Sequence, residues 1–250
     1  MRHTFRYLVG AAPEPGDTVA LSVADTHHLV RVVRRRPGDE LELMDGSGRL
    51  WPAVLVAEGP PAVVRVSAPR EGPPLAPVTL YQGLAEWGRL DMLVEKAAEL
   101  GLERVVMFTS SRVARAPDPD AWRRRRARFL RVAEAAARQS GRARLPRIEG
   151  LLDLDAVLGE VASGEGWLLD PGGSAPLASA LAEAAPSRAA LLIGPEAGFA
   201  PEEIVAAEAA GIPACHLGPA ILRAETAGLV ALTLALGAVG ALSGAEVAAR

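Results

Sequence analysis

The sequence predicts an α/β protein in which a mostly parallel sheet, covered by helices on both faces, follows a small N-terminal β-barrel. Residues 1–70 contain several short strand patterns separated by turn residues. From residue 78 onward, strand and helix patterns alternate. Between these regions, residues 69–77 hold four prolines and one glycine, a composition typical of a linker. We therefore expect two domains, residues 1–72 and 73–250.

The predicted barrel contains one short helix and four strands. The helix is expected over residues 25–33, with Asp25 or Thr26 as its N-cap. Residues 45–48 read Asp-Gly-Ser-Gly, which suits the tight turn of a hairpin. Short strands at this spacing favour a small barrel. Runs of apolar and β-branched residues place the strands at residues 18–21, 40–44, 50–57 and 62–67.

The second domain is predicted to repeat a strand–helix unit, which implies parallel strands joined by crossover helices. Gly101 and Gly211 are expected to end two of the helices, and Pro201 to begin one. A long arginine-rich helix is expected over residues 120–139, with Asp120 as its cap. The strands are expected at residues 78–82, 104–108, 166–170, 189–193 and 214–217, and further helices near residues 87–100 and 154–161.

The last predicted helix is unusually apolar. Residues 226–245 carry no charge and consist mostly of leucine, alanine, valine and glycine. The length of this segment would allow a membrane span, and burial between two subunits is the alternative. Its many small residues, with no flanking basic cluster and no aromatic belt, favour the interface of a homodimer.

Two further features concern the compartment and metal binding. The N-terminal residues are polar and lack the apolar core of a signal peptide, so we expect a cytoplasmic protein. Cys215 is the only cysteine, which excludes an intrachain disulfide and a cysteine-cluster zinc site. We therefore expect no metal.

The net charge of −3 hides an asymmetry along the chain. Residues 1–150 carry 24 basic and 18 acidic side chains, net +6, and residues 151–250 carry 3 and 12, net −9. A polyanion such as RNA would meet the first part, although an ordinary solvated surface is the alternative interpretation. The candidate phosphate-binding side chains are Arg2, Arg6, Arg31, Arg34, Arg35, Arg36, Arg112, Arg115, Arg142 and the arginine run 123–126.

Three glycine-bearing loops follow the late strands, at residues 170–173, 193–199 and 217–227. Ligands of α/β proteins bind at the carboxyl ends of the strands, and glycine lets the backbone approach them closely. Neither GxGxxG nor GxxxxGK[ST] occurs, so the usual dinucleotide and P-loop sites lack their motifs. Singly, each loop could be a plain connection; three in consecutive units indicate a binding site.

Two motifs in these loops, LLIGPEAGF and LGPAILRAETA, resemble the signature of the bacterial small-subunit ribosomal RNA uracil-N3 methyltransferases. That family belongs to the SPOUT superfamily. Upstream, EKAAELGLERV and RVAEAAARQSGRARLPRI resemble further blocks of the family, and THHLVRVVRRRPGDELELMDGSG resembles the start of its N-terminal PUA-like barrel. The resemblance covers nearly the whole chain. It implies a C-terminal domain tied in a deep trefoil knot.

The resemblance also implies the ligands and the assembly. S-adenosylmethionine would bind in the knot mainly through backbone atoms, at an active site shared by two subunits. One departure is Ala197, where the family usually has glycine; a positive φ there would cost about 1 kcal/mol. Carried over residue by residue, the cofactor-binding positions are Leu169, Gly194, Glu196, Gly198, Leu217, Gly218, Ile221, Leu222, Arg223 and Thr226.

The chemistry of the implied reaction suggests catalytic residues. Methylation of uracil N3 requires loss of a weakly acidic proton and stabilisation of negative charge on O2 and O4. Arg223 and Glu225 could supply a cation and a base, or they could form a structural ion pair at the start of the last helix. Glu196 more plausibly orders its loop than acts as a base. Cys215 and His216 are expected in or near the core.

The expected substrate is a uridine of 16S rRNA in the small ribosomal subunit. One alternative is a methyltransferase of the same fold that acts on another RNA, for example on a ribose in tRNA or rRNA. Another is a non-enzymatic RNA-binding protein of ribosome assembly. Gly194, Gly198 and Gly218 favour an enzyme, because a protein without cofactor would be free to lose them.

Overall fold

The computed structural model describes residues 4–113, 116–161 and 165–242. Its backbone contacts divide the chain into two compact units. The first unit comprises Met1–Pro74 and Glu134–Leu145, and the second comprises Leu75–Ala133 and Pro146–Arg250. The barrel unit therefore includes a short segment from much later in the chain, which the linker composition at residues 69–77 gave no reason to expect.

The first unit is a curled six-stranded sheet that forms a half-barrel. Its strand order is β1-β3-β4-β5-β2, with β6 beside β4. β1 is parallel to β3, and the other pairs are antiparallel. The predicted hairpin turn at residues 45–48 connects β3 to β4. The strands are β1 (Arg6–Leu8), β2 (Thr18–Ala20), β3 (Glu40–Met44), β4 (Arg49–Ala57), β5 (Val63–Val66) and β6 (Arg70–Glu71).

The helix of the first unit begins earlier than predicted. Helix α1 covers Val23–His27 and continues as a π-helical turn over His28–Val32. Ser22 is its N-cap, because the Ser22 hydroxyl accepts a hydrogen bond from the Asp25 backbone N–H at 3.1 Å. The expectation that Asp25 or Thr26 caps the helix was wrong. The Asp25 side chain instead accepts a hydrogen bond from Ser22 and pairs with Arg138.

Two apolar clusters hold the first unit together. The larger one is formed by inward-facing residues of the strands and of the π-helical turn, including Tyr7, Leu29, Leu43, Trp51 and Leu55. The smaller one packs Met44 and Leu50 against Ala137 and Ala143. This second cluster explains why residues 134–145 belong with the barrel.

The second unit is a seven-stranded parallel sheet of order β11-β13-β10-β12-β7-β8-β9. Its strands are β7 (Ala76–Gly83), β8 (Leu102–Thr109), β9 (Arg147–Asp153), β10 (Gly166–Leu169), β11 (Ala175–Pro176), β12 (Ala189–Ile193) and β13 (Ala214–His216). Its helices are α2 (Trp87–Leu100), α3 (Pro119–Ser140, which continues into the first unit), α4 (Leu154–Glu160), α5 (Leu177–Ala184), α6 (Pro201–Ala209) and α7 (Ala224–Ala238). The predicted α/β fold with a parallel sheet is confirmed.

Helices cover both faces of this sheet. α4 and α6 contribute to an apolar cluster with Phe108, Leu168 and Leu192 on one face. α2, α5 and α7 pack on the other face. Helix α3 is capped two residues before the expected position: the Asp118 carboxylate accepts from the Ala121 backbone N–H at 2.8 Å, so Asp118, and not Asp120, caps the helix.

Helix α7 is buried along one side within a single chain. Leu232 and Leu236 are fully buried, so they belong to the core of the unit and not to a surface between subunits. The exposed positions of the helix are Thr226, Val230, Thr233 and Gly237, which fall on one face at spacings of four and three residues. The end of the predicted segment, residues 243–245, lies outside the described residues. Among the helices that the structure describes, none has the length and apolarity needed to cross a membrane.

Candidate active site

A cleft of about 680 Å³ opens at the carboxyl ends of β13, β10 and β12, which are neighbours in the sheet. The three glycine-bearing loops that follow these strands form most of its wall. Because parallel strands end at the same edge, loops far apart in sequence meet there. The structure thus brings together the three loops that the sequence singled out, and their role as a binding site stays a prediction.

Nine of the ten predicted cofactor-binding residues line this cleft. They are Leu169, Gly194, Glu196, Gly198, Leu217, Gly218, Ile221, Leu222 and Arg223. The tenth, Thr226, lies exposed in the first turn of α7 and is not part of the wall. Their role in binding stays a prediction.

Backbone conformation explains two of the glycines in the cleft. Gly198 has φ +71° and Gly218 has φ +108°, values that a side chain would strain. Nothing lies within 4 Å of the position that a Cβ would take at either residue, so both leave the cleft open. Ala197 has no positive φ, and the alanine at this position therefore carries none of the strain considered from the sequence.

The loop after β12 lies directly on the end of β7. A Cβ on Gly83 would sit 2.5 Å from the Pro195 nitrogen and 2.8 Å from the Gly194 carbonyl carbon. The neighbouring Gln82 is fully buried, and its amide donates to the Gly83 carbonyl oxygen at 3.0 Å and to the Gly194 carbonyl oxygen at 3.4 Å. A glycine and a buried amide thus fix the height of the loop above the sheet.

Arg89, in the first turn of α2, connects two loops of the cleft. Its Nη1 donates to Glu196 Oε1 at 2.9 Å, and its Nε lies 3.3 Å from Glu86 Oε2 and 3.7 Å from Glu225 Oε1. Glu196 Oε1 also accepts from the Glu86 backbone N–H at 3.0 Å. Glu196 therefore has the loop-ordering position expected of it. The sequence did not point to Arg89, although α2 follows a strand that ends at the same edge of the sheet.

Arg223 and Glu225 do not form the ion pair considered from the sequence. Arg223 is the exposed N-cap residue of α7, lines the cleft, and has no carboxylate partner among the described residues. Glu225 is buried, faces Arg89 and is not part of the cleft wall. The geometry suits Arg223 for contact with a substrate and gives Glu225 no direct access to one.

Arg112 reaches the cleft from the loop after β8. Its Nη1 donates to the Ala197 carbonyl oxygen at 2.9 Å. The loop is held by the buried carboxylate of Glu203, whose Oε1 accepts from the Ser111 backbone N–H at 2.7 Å and whose Oε2 accepts from the Ala200 backbone N–H at 2.8 Å. One carboxylate therefore joins the loop after β8 to the start of α6.

Cys215 and His216 lie at the end of β13 close to the cleft. Cys215 is buried as expected, and desolvation raises the pKa of its thiol. His216 is partly buried, and its Nδ1 accepts from the Gly218 backbone N–H at 3.1 Å. The histidine thus stabilises the turn that carries Gly218. In the parts of the chain that the structure describes, no group of three or more acidic, histidine or cysteine side chains could hold a metal ion.

Several arginines predicted to contact RNA are engaged inside the first unit. Arg6 and Arg70 both pair with Glu42, at 2.8 and 2.6 Å, and Arg36 pairs with Glu58 at 2.7 Å. Arg35 lies 3.9 Å from the Asp39 carboxylate and over the ring of Phe5. These pairs reduce the positive charge that is available to a phosphate.

The remaining candidates differ in their surroundings. Arg31 and Arg34 are exposed, and no ion pair is found for them within the described residues. Arg142 Nη1 lies 3.5 Å from the Pro74 carbonyl oxygen, and burial lowers the pKa of its guanidinium. Within the run 123–126, Arg125 pairs with Asp91 and stacks on Trp87. Arg2 and Arg115 lie outside the described residues.

Comparison with known proteins adds to this geometry. The family described as "RNA methyltransferase domain" matches residues 71–236, and "RNA methyltransferase PUA domain" matches residues 21–66. The ribosomal RNA small subunit methyltransferase E of Mycobacterium tuberculosis is 34% identical over 243 residues, which is 95% of this chain and 91% of the relative. The Bacillus subtilis protein of that name is 27% identical, and the match covers 93% of this chain and 95% of the relative.

Two solved structures share the whole fold. The ribosomal RNA small subunit methyltransferase E of Neisseria gonorrhoeae, bound to S-adenosyl methionine, is 28% identical with a TM-score of 0.82. A Legionella pneumophila methyltransferase in complex with the same cofactor is 26% identical with a TM-score of 0.81. Each match covers 94% of this chain and 98% of the other.

Proposed function

The chain belongs to the ribosomal RNA small subunit methyltransferase E family, and from this membership we propose that it methylates N3 of one uridine in 16S rRNA with S-adenosylmethionine as donor. The observation that carries the proposal is the cleft at the carboxyl ends of β10, β12 and β13. The same loops carry the two motifs that resemble the family.

The cleft fits a cofactor of this size and chemistry. Its volume lies within the range of about 300–1,000 Å³ typical of small-molecule sites. Gly198 and Gly218 leave backbone groups accessible for hydrogen bonds to an adenine or an amino acid. Apolar contact would come from Leu169, Ile193, Phe199, Leu217 and Leu222. When bound, S-adenosylmethionine supplies a methyl group on a positively charged sulfur.

The side chains of the cleft have separable tasks in the proposed reaction. Arg89 holds the Glu196 loop and the start of α7 in place. Arg223 presents a cation where the uracil would acquire negative charge on its carbonyl oxygens. Glu225 contacts Arg89, so its proposed role is to position that arginine. The N3 proton of the uracil is transferred to water.

The first unit is proposed to bind the RNA. The match of its residues to the PUA domain of RNA methyltransferases supports this assignment, as do the exposed Arg31 and Arg34. Phosphate contacts of this kind orient the RNA without reading its sequence. Because the proposed substrate is ribosomal RNA, we place the protein in the cytoplasm.

We propose a homodimer built on the exposed face of α7. This face, formed by Thr226, Val230, Thr233 and Gly237, is uncharged, and small side chains allow close helix packing. Sedimentation should give a dimer for the unaltered protein and a monomer for Val230→Arg, since an unpaired charge in an interface costs several kcal/mol. A dimer that survives this substitution would place the interface elsewhere. The trefoil knot also stays a prediction.

The proposed function is tested by mass spectrometry of 16S rRNA from cells lacking the gene. We expect one N3-methyluridine to be lost, to return fully when the unaltered gene is supplied, and to return only in part when the Gly218→Val variant is supplied. An unchanged set of methylated nucleotides would contradict the proposal.

A further inference from the structure

Among the described residues, three cations and two carboxylates line the cleft, and two of these cations have no carboxylate partner. Arg89 is shared among Glu86, Glu196 and Glu225. The other carboxylate of the wall, Asp170, accepts from the Gly172 backbone N–H at 2.8 Å. Arg112 and Arg223 have no carboxylate partner among the residues that the structure describes. Any negative charge that enters the cleft will therefore meet these two guanidinium groups.

The two free cations differ in how firmly they are held. Arg223 is an exposed N-cap residue, and no described residue binds its guanidinium. Arg112 donates one N–H to the Ala197 carbonyl oxygen, which leaves four donors of its guanidinium for a ligand. Its loop is fixed by the two hydrogen bonds of Glu203 to Ser111 and Ala200. Arg112 is exposed, but its guanidinium is anchored to the loop after β12 and its own loop is anchored by Glu203.

We propose that Arg112 is a catalytic residue that binds a carbonyl oxygen of the target uracil and stabilises the negative charge formed there during methyl transfer. This inference rests on the proposed function. In the step, uracil N3 bonds to the methyl carbon, the carbon–sulfur electron pair stays on sulfur, and the N3 proton passes to water. Deprotonation of N3 spreads negative charge over O2 and O4, so a fixed donor beside either oxygen lowers the barrier.

Preorganisation favours this role over contact with an RNA phosphate. A phosphate contact needs only positive charge within reach, and exposed arginines without a described ion-pair partner, such as Arg31 and Arg34, provide it. A donor that acts on charge appearing in the transition state is most effective when it already points at that charge, because reorienting the donor during the reaction costs energy, and Arg112 is better anchored for this than Arg223. Glu203 is accordingly the positioning residue of Arg112.

The first test is the rate of methylation of small ribosomal subunits from cells lacking the gene. Arg112→Gln should lower kcat about 10²-fold, the usual effect of losing one such donor, while KM for the subunits and Kd for S-adenosylmethionine change little. The matched control is Arg147→Gln, which removes an exposed arginine paired with Glu103 away from the cleft. Arg112→Lys keeps the positive charge but loses the planar guanidinium, so its kcat should lie between those of Arg112→Gln and Arg147→Gln.

The second test makes N3 more acidic without altering the protein. 16S rRNA transcribed with 5-fluorouridine, and assembled into subunits, has a target base that carries negative charge more easily. Replacing ordinary subunits by this substrate should therefore raise the methylation rate by a larger factor for Arg112→Gln and Glu203→Gln than for the unaltered protein. Their rates on ordinary subunits should also need a higher pH to reach a plateau, since N3–H is less acidic without the cation.

Other outcomes would overturn the inference. Equal losses on both substrates would make Arg112 merely structural. Weaker RNA binding with a smaller salt dependence would make it a phosphate contact, and a raised Kd for S-adenosylmethionine would assign it to the cofactor carboxylate. Inactivity of the unaltered protein on both substrates would instead contradict the proposed function.

Discussion

In the first unit Arg6 and Arg70 share the carboxylate of Glu42, whereas in the cleft of the second unit Arg112 and Arg223 face no carboxylate among the described residues. Residues 1–150 carry 24 basic and 18 acidic side chains, and several of these arginines form close ion pairs with carboxylates of the same region. The net charge of a region therefore indicates where a polyanion is attracted, whereas the ion pairs within that region determine which of its arginines can bind the polyanion.

The largest effect is expected from Arg223→Ala, which removes a free cation from the cleft. Methyl transfer should slow by about 10²-fold, or roughly 3 kcal/mol in the barrier, because the proposed target is charge that appears only in the transition state. Affinity for RNA, measured by filter binding, should change little. A large loss of RNA affinity with normal turnover would show that this arginine binds the ground state.

Gly218→Val should weaken cofactor binding by roughly 1–3 kcal/mol. The φ of +108° strains any branched side chain, and the valine would occupy the open space beside the backbone. Titration calorimetry with S-adenosylmethionine measures the change. The matched control is Ala197→Val, in the same cleft but without a positive φ, which should bind the cofactor more nearly normally. Equal affinity in all three proteins would remove the assignment of this loop to the cofactor.

Arg6→Ala tests a paired arginine of the first unit. The side chains of Arg6 and Glu42 are only 14% and 10% exposed, so the substitution should lower the free energy of unfolding by roughly 1–3 kcal/mol. Urea denaturation measures this loss. Arg36→Ala, in a pair whose arginine is 68% exposed, should cost less than about 1 kcal/mol. The reverse order of the two losses would contradict this interpretation of the pairs.

The smallest effect is expected from single charges at the proposed RNA surface. The double variant Arg31→Ala, Arg34→Ala should lower RNA affinity and reduce the salt slope by roughly 0.7–0.9 for each phosphate that is no longer neutralised. The comparison variant, Arg35→Ala with Arg36→Ala, removes two arginines that lie beside Asp39 and Glu58 and should change the slope less. If both double variants leave the slope unaltered, RNA follows another path.

The sequence predicted the elements with strong patterns to within a few residues. Helix α2 was expected over residues 87–100 and spans Trp87–Leu100, because its apolar period is regular and Gly101 ends it with φ +78°. Strand β9 was missed, since Gly150, at φ +90°, and Glu149 interrupt its apolar pattern. The curled sheet also contains the short strands β1 and β6, which are too brief to show a period.

The candidate site was predictable only where the motif itself forms the wall. The contact of Arg89 with Glu196 joins residues 107 positions apart, and that of Ser111 with Glu203 joins residues 92 apart. No local pattern indicates such contacts, because they depend on the order of strands in the sheet. The same reason explains why Glu225 was paired with its neighbour Arg223 and not with Arg89.

The loop after β12 shows which positions of the motif LLIGPEAGF can accept another residue type. Position 198 requires glycine because its φ is +71°. Position 83 requires glycine because the backbone of Gly194 and Pro195 passes too close for a Cβ. Position 197 meets neither restriction, and alanine stands there without strain. A search pattern that demands two consecutive glycines at this place would discard genuine members of the family, whereas one that requires Gly198 together with a glycine at the end of β7 would retain them.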